Sequence, residues 1–110
     1  MTVVTLTVNP TIDVHCCVSQ MRPDVKLRTS KPKLEPGGGG INVGRVLHRF
    51  GCEANSLWTC GGATGERLHE LLDEDGVPHE PIAIAGNTRQ SMNVLEESSN
   101  QQFRLIAPGP

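Results

Sequence analysis

Two stretches of this 110-residue chain are built alike: a glycine cluster runs straight into a helix-like apolar period, which a further glycine closes. The first is EPGGGGINVGRVLHRFG (residues 35–51) and the second is CGGATGERLHELLDEDG (residues 60–76). Val43, Val46, Leu47 and Phe50 fall at i, i+3, i+4 and i+7, and Leu68, Leu71 and Leu72 form a second stripe. That spacing places apolar side chains along one face of a helix. Gly51 and Gly76 stand where a helix-terminating glycine belongs. Around the helices lie strand-like runs: VVTLTV (3–8), read as buried on both faces, ANSLWTC (54–60) and EPIAIAG (80–86). Strands alternating with helices predict right-handed βαβ units and a parallel sheet, the α/β class.

Two other sets of strands do not fit that core. DVHCCV (13–18) and VKLRTS (25–30) read as short strands joined by the turn-like RPD, with Lys26 and Arg28 sharing a face by the period of two. TRQSMNVLEE and QQFRLIA flank SSN and read as a hairpin. Together they predict an accessory β flap beside the α/β core.

Composition narrows the function classes. Net charge is −2, which favours neither nucleic acid nor a membrane surface as a partner. Residues 1–50 hold seven Lys/Arg against three Asp/Glu, and residues 51–110 hold three against nine. No apolar run approaches the roughly 20 residues needed to span a bilayer, and Met1 opens no secretory signal pattern. The four cysteines, Cys16, Cys17, Cys52 and Cys60, form no CxxC pair. The expectation is reduced thiols in a cytoplasmic protein, with no metal site, since His48 and Cys52 are only a lone i, i+4 pair.

The glycine runs match neither common nucleotide motif. A phosphate-cradling GxxxxGK loop fails because no Gly-Lys occurs anywhere. GxGxxG fails because Val43 or Ile41 stands where a glycine is needed. Glycines at 37–40 do expose backbone N–H groups ahead of a helix N-terminus, which is a place for an electron-rich ligand. The other reading, a flexible turn, stays open on composition. Asn42 in the first helical turn can donate to and accept from hydroxyl groups. Asp13 follows the first strand, where parallel sheets bind ligands. Taken alone, it reads better as a residue closing the NPTID turn.

The ordered set LTVNPTID, EPGGGGINVGRVLHRFG, CGGATGERL, TRQSMNV and FRLIAPGP resembles the beginning of a PfkB-family sugar kinase, and within that family the ATP-dependent 6-phosphofructokinase branch. The resemblance covers essentially all 110 residues. It implies the N-terminal part of a ribokinase-like, doubly wound α/β fold with a small β lid over the sugar site, the lid strands falling near 14–30 and 87–106. The lid would also make a homodimer contact. By position, Asp13 matches the aspartate that holds sugar hydroxyls, Gly38 and Gly39 the glycines whose backbone approaches the sugar, and Asn42 an asparagine that contacts it. Arg89 matches an arginine near the substrate's phosphate, and Lys26 and Arg28 match basic lid residues that reach a phosphate. Relatives acting on fructose 1-phosphate or tagatose 6-phosphate usually carry PGGKGIN, whereas Gly39 occupies the lysine position here. That difference favours fructose 6-phosphate as the sugar. Gly44 departs from the usual alanine.

The resemblance also implies that ATP and Mg serve the complete enzyme and that neither is bound by this portion alone. The family's Gly-Ala-Gly-Asp segment, which carries the catalytic base, does not occur, and the Asn-x-x-Glu magnesium motif is likewise read as missing. No residue of this chain is therefore named as catalytic. The APGP segment ending at Pro110 matches a point inside the family fold, and the base is expected downstream of Pro110. The expectation is a sugar-phosphate-binding portion of a phosphofructokinase-type phosphotransferase, inactive alone. The alternatives are a non-catalytic binding or lid-dimerisation fragment, or a kinase portion for fructose 1-phosphate or tagatose 6-phosphate.

Overall fold

The structure is a computed structural model that describes residues 2–110. In chain order it comprises β1 (Val3–Thr7), β2 (Thr11–Val18), β3 (Lys33–Gly37), α1 (Gly39–Arg49), β4 (Ala54–Cys60), α2 (Gly62–Asp75), β5 (His79–Ala83), β6 (Arg89–Glu96) and β7 (Gln101–Leu105). β1, β4 and β5 form a parallel three-stranded sheet in that order. Because the order advances in one direction, right-handed crossovers put both helices on the same face. Trp58 on β4 lies at the centre of that face and is fully buried with Ile12, Ile41, Leu68 and Leu72.

The second sheet has the order β3-β2-β6-β7, with β2 parallel to β6 and the outer pairs antiparallel. It has two chemically distinct faces, as the strand period of two requires. Ile12, Val14, Cys16, Val18, Leu34 and Val94 pack toward the apolar side. Thr11, Asp13, His15, Arg89, Ser91 and Asn93 occupy the other, because each β2 residue pairs in register with its β6 partner.

Three expectations need correcting. Residues 25–30 form no strand: they lie in the loop between β2 and β3, and the strand that pairs with β2 is Lys33–Gly37. That strand can hold Pro36 because β3 is an edge strand, where a residue without an N–H is tolerated. Lys26 and Arg28 therefore share no strand face. Second, within this chain β1 is covered on one face only. Val4 and Leu6, on the side away from the helices, are 61% and 62% exposed.

Third, the apolar stripe of α1 does not face the sheet: Val43, Val46 and Phe50 are exposed, while Ile41 and Gly44 are buried. Glycine packing chooses the buried face. A methyl group at Gly40 would meet the Leu6 carbonyl oxygen at 3.0 Å and crowd the Thr7 hydroxyl, and one at Gly44 would collide with the Ser56 hydroxyl. The helix backbone thus lies directly on β1 and β4, closer than any side chain allows. The unusual Gly44 is accounted for by that contact, with Ser56 filling the space a residue-44 methyl would otherwise take. The helix ends behave as the sequence predicts, with Gly51 at φ 73° and Gly76 at φ 71°.

Gly39, unlike its neighbours, has no atom within 4 Å of a built-on Cβ and no positive φ. Gly40→Ala should therefore cost about 1–3 kcal/mol of stability, while Gly39→Ala should stay within about 0.5 kcal/mol of the parent. Denaturant unfolding of the two variants checks the contrast.

Candidate substrate site

The polar face of the second sheet meets the start of α1 at one place. Register sets Thr11 beside both Gly37 and Arg89, and Asp13 beside both Glu35 and Ser91. A side chain at Gly37 would collide with the Asp13 carboxylate and the Thr11 methyl, so that carboxylate lies directly over bare backbone. Gly38 follows as the residue capping α1, at φ 120°, a conformation that glycine adopts readily and other residues rarely do. A Cβ there would also run into Thr7.

No side chain caps the helix and its first turn holds no acidic residue. Its leading N–H groups and positive dipole end are therefore left for another partner. Asn42 sits in that first turn, its own N–H bonded to the Gly38 carbonyl at 2.9 Å and its side chain exposed. Gly37, Gly38 and Gly40 are each required by packing or backbone geometry. Gly39 is exposed and required by neither.

Arg89 opens β6 and is tied down at both terminal nitrogens. Nη1 donates to the Ala107 carbonyl at 3.1 Å and Nη2 to the Asn9 carbonyl at 3.0 Å. Its Nε is buried without a hydrogen-bond partner among the described residues, and so are Ser91 Oγ and Thr7 Oγ1. Buried polar atoms are rarely left unpaired. Here one lies on the guanidinium, one opposite Asp13 and one beneath the glycine turn.

Further along the face, Asn93 hydrogen-bonds His15 at 3.3 Å, His15 lies 3.5 Å from Glu35, and Lys33 pairs with Glu35 at 3.1 Å. Burial pushes the Asp13 carboxyl above its ordinary value; nearby His15, Arg89 and Arg104 oppose the shift, and Glu35 adds to it. Hydrogen bonding to Lys33 holds Glu35 below its own ordinary value.

The structure thus gathers Asp13, Gly38, Gly39, Asn42 and Arg89 around one junction. It does not bring Lys26 and Arg28 there. Both are exposed in the loop after β2, beside Val18, Gln20 and Arg22. Val18 is five strand residues from Asp13, roughly 17 Å along the strand. Ser91 and Thr7 escaped notice in the sequence. The signal for Ser91 was its place two residues after Arg89, on the same strand face.

The segment that leads to Pro110 returns to the edge of this junction. Ala107 holds Arg89, Gly109 lies against the Asn9 side chain, and the Pro110 ring packs so closely on Gly86 that a Cβ there would collide with it. Pro110 is thus in contact with the loop ahead of β6, but it brings no proton-accepting side chain. The base expected downstream of Pro110 falls outside the described residues.

Asn93 and Glu96 do stand at the Asn-x-x-Glu spacing, which corrects the expectation that this pattern is missing. On a strand, however, residues three apart point to opposite faces. Glu96 accepts from the Met21 N–H at 2.6 Å and from the Ser99 hydroxyl, which hold its carboxyl low, while Asn93 faces His15. The pair cannot share one magnesium ion. No step is therefore assigned to Mg-ATP on these residues.

An α/β core whose glycine-led helix faces a two-sided β flap bearing carboxylate and guanidinium is the substrate-side architecture of a carbohydrate kinase. The chain belongs to the pfkB family of carbohydrate kinases, which it matches over residues 2–110. It is 44% identical over 108 residues to ATP-dependent 6-phosphofructokinase isozyme 2 of Mycobacterium tuberculosis, covering 98% of this chain and 32% of that protein. It is 32% identical over 108 residues to a tagatose-6-phosphate kinase of Staphylococcus epidermidis, covering 98% and 34%. The crystal structure of Escherichia coli phosphofructokinase-2 in complex with fructose-6-phosphate superposes with a TM-score of 0.93 at 41% identity, covering 97% of this chain and 35% of that one. The chain therefore spans about a third of the length of these relatives, and its fold is the N-terminal portion of theirs.

The raised Asp13 value makes a testable link to stability. The fold favours the neutral carboxyl, so this contribution is fully present below the ordinary value of 3.8 and is lost as pH rises through the higher folded value. Asp13→Asn removes the buried charge. It should be more stable than the parent at neutral pH, with the gap closing as pH falls toward 3.8. Denaturant midpoints across that range measure the difference.

Proposed function

We propose that this chain is the sugar-phosphate-binding portion of an ATP-dependent phosphofructokinase, with fructose 6-phosphate as the sugar. The observation that carries the reading is the junction itself: the Asp13 carboxylate and the anchored Arg89 guanidinium flank a helix N-terminus whose Gly39 backbone is open to a ligand. Asp13 accepts hydrogen bonds from sugar hydroxyls, Gly38 and Gly39 let the sugar lie against the main chain, and Asn42 contacts a further hydroxyl. Arg89 meets the phosphate. Its Nε has no partner among the described residues, and its fork matches phosphate oxygens.

The four-stranded sheet acts as the lid. Lys26 and Arg28, remote from their own chain's Asp13, serve a phosphate at the site of a second copy in a lid-mediated homodimer. The substrates named for the Mycobacterium, Escherichia and Staphylococcus relatives support this sugar-phosphate class. Gly39, in place of the lysine usual in fructose 1-phosphate and tagatose 6-phosphate kinases, supports fructose 6-phosphate among them. The work is done in the cytoplasm. No described helix is long and apolar enough to cross a membrane.

Phosphoryl transfer needs a base and a metal–nucleotide site, and the described residues supply neither. In a complete enzyme of the relatives' length, both belong downstream of Pro110. The 110-residue chain should accordingly bind fructose 6-phosphate and release no ADP from Mg-ATP. Isothermal titration should show binding that free fructose does not reproduce. Arg89→Met should weaken it about 10- to 100-fold, the worth of hydrogen bonds from a charged group. Equal affinity for fructose and fructose 6-phosphate, or an unchanged Arg89→Met titration, would overturn the reading.

A further inference from the structure

Away from the sugar junction, α2 and β5 bring together three side chains that the proposed function does not use. His69 and Asp73 are one turn apart on α2, and His79 begins β5 after the Gly76 turn. His69 Nδ1 lies 3.0 Å from one Asp73 oxygen, and His79 Nε2 lies 2.7 Å from the other. The two imidazole rings are nearly perpendicular, with centroids 4.8 Å apart. The one ligating atom that each residue offers lies within 4.8 Å of both others. His79 is buried and fixed, whereas His69 and Asp73 are solvent-accessible and free to adjust. The Asp73 carboxylate bridges the two rings, one oxygen facing each.

We propose that His69 Nδ1, the Asp73 carboxylate and His79 Nε2 form a binding site for a divalent transition-metal ion of the zinc class. Two imidazoles and one carboxylate are a standard donor set for such an ion, which leaves a fourth tetrahedral position for water. Metal–ligand bonds near 2.0–2.2 Å require the three donors to draw closer than they now stand. Rotations of the two accessible helix side chains toward the fixed His79 supply that movement.

The proton bookkeeping yields a specific signature. Trp58 Nε1–H donates to His79 Nδ1 at 3.0 Å, so neutral His79 carries its proton on Nε2 and donates it to Asp73. A metal on Nε2 displaces that proton. For the ring to stay neutral a proton must sit on Nδ1, where it opposes the Trp58 N–H. Metal binding therefore exchanges the His79 tautomer and breaks the Trp58–His79 hydrogen bond. His69 likewise moves its proton from Nδ1 to Nε2. With both rings neutral, no net proton is released. Trp58 is the chain's only tryptophan, so its emission reports the event directly.

The test is a titration of the full chain with zinc chloride, followed by Trp58 fluorescence and by nitrogen NMR of the imidazole rings. Zinc is a closed-shell ion without redox chemistry, so a change in emission reports the altered surroundings of Trp58. A saturable one-to-one change is expected, together with transfer of the His79 ring proton from Nε2 to Nδ1. Asp73→Asn, at an exposed position, should weaken binding by more than about tenfold, since loss of even an outer-shell partner costs that much. The exposed thiol is the competing ligand, and Cys52→Ser should leave the titration unchanged. Cobalt(II) substituted for zinc should give a spectrum without thiolate charge-transfer bands. Absence of binding, binding lost in Cys52→Ser but kept in Asp73→Asn, or saturation without the His79 tautomer change would each overturn the proposal.

Discussion

The backbone-to-backbone approach of α1 onto β1 and β4 is the contact on which the rest of the arrangement depends. Gly40 against the Leu6 carbonyl and Gly44 against Ser56 let the helix lie closer to the sheet than side chains permit. That depth fixes where the helix begins, and so carries Gly38, Gly39 and Asn42 to the end of β3 beside Thr11. A methyl group at position 40 would push the helix outward and move its N-terminus off the polar face. Binding geometry tolerates little displacement, so in the proposed function the packing glycines also set where the junction stands.

The second sheet works by the same economy of faces. Its apolar side contributes Ile12, Val14 and Leu34 to the core around Trp58, and its polar side is left to present Asp13, Arg89 and Ser91. One set of strands thus anchors the sheet and displays the site, because alternate residues point opposite ways. The junction carries a local cost to stability: a carboxylate held against its solvation preference, and three buried polar atoms without partners among the described residues. Unpaired buried groups are costly in a closed fold.

Trp58 links this region to the opposite end of the core. Its ring packs with Ile12 and Ile41, while its N–H reaches His79 and through it Asp73 and His69. A buried indole N–H needs an acceptor, and His79 provides one only in a single tautomer. The polar chain on α2 and β5 is thereby ordered from the hydrophobic core outward.

Much of this was legible in the residues alone. The β-branched runs, the leucine stripe of α2, the closing glycines and the hairpin around SSN all act locally, through periods and turn preferences that neighbours in sequence decide. Asp13, Gly38, Gly39, Asn42 and Arg89 were nameable from their motifs, although nothing local could tell that register would set them around one junction. Other features depended on partners far along the chain. Within this chain the stripe Val43, Val46 and Phe50 lies off the sheet and Leu47 is half-buried, because Gly40 and Gly44 pack against Leu6 and Ser56 instead. The strand beside β2 proved to be 33–37 and not 25–30, because an edge position excuses Pro36 from donating. The His69–Asp73–His79 cluster needed the turn at Gly76 to fold β5 back onto α2. Sequence determined both helices, their closing glycines and most of the strands, because periods and turn preferences act between neighbours. Tertiary structure decided which faces are covered and which groups meet, since burial and register are set by contacts between residues distant in the chain.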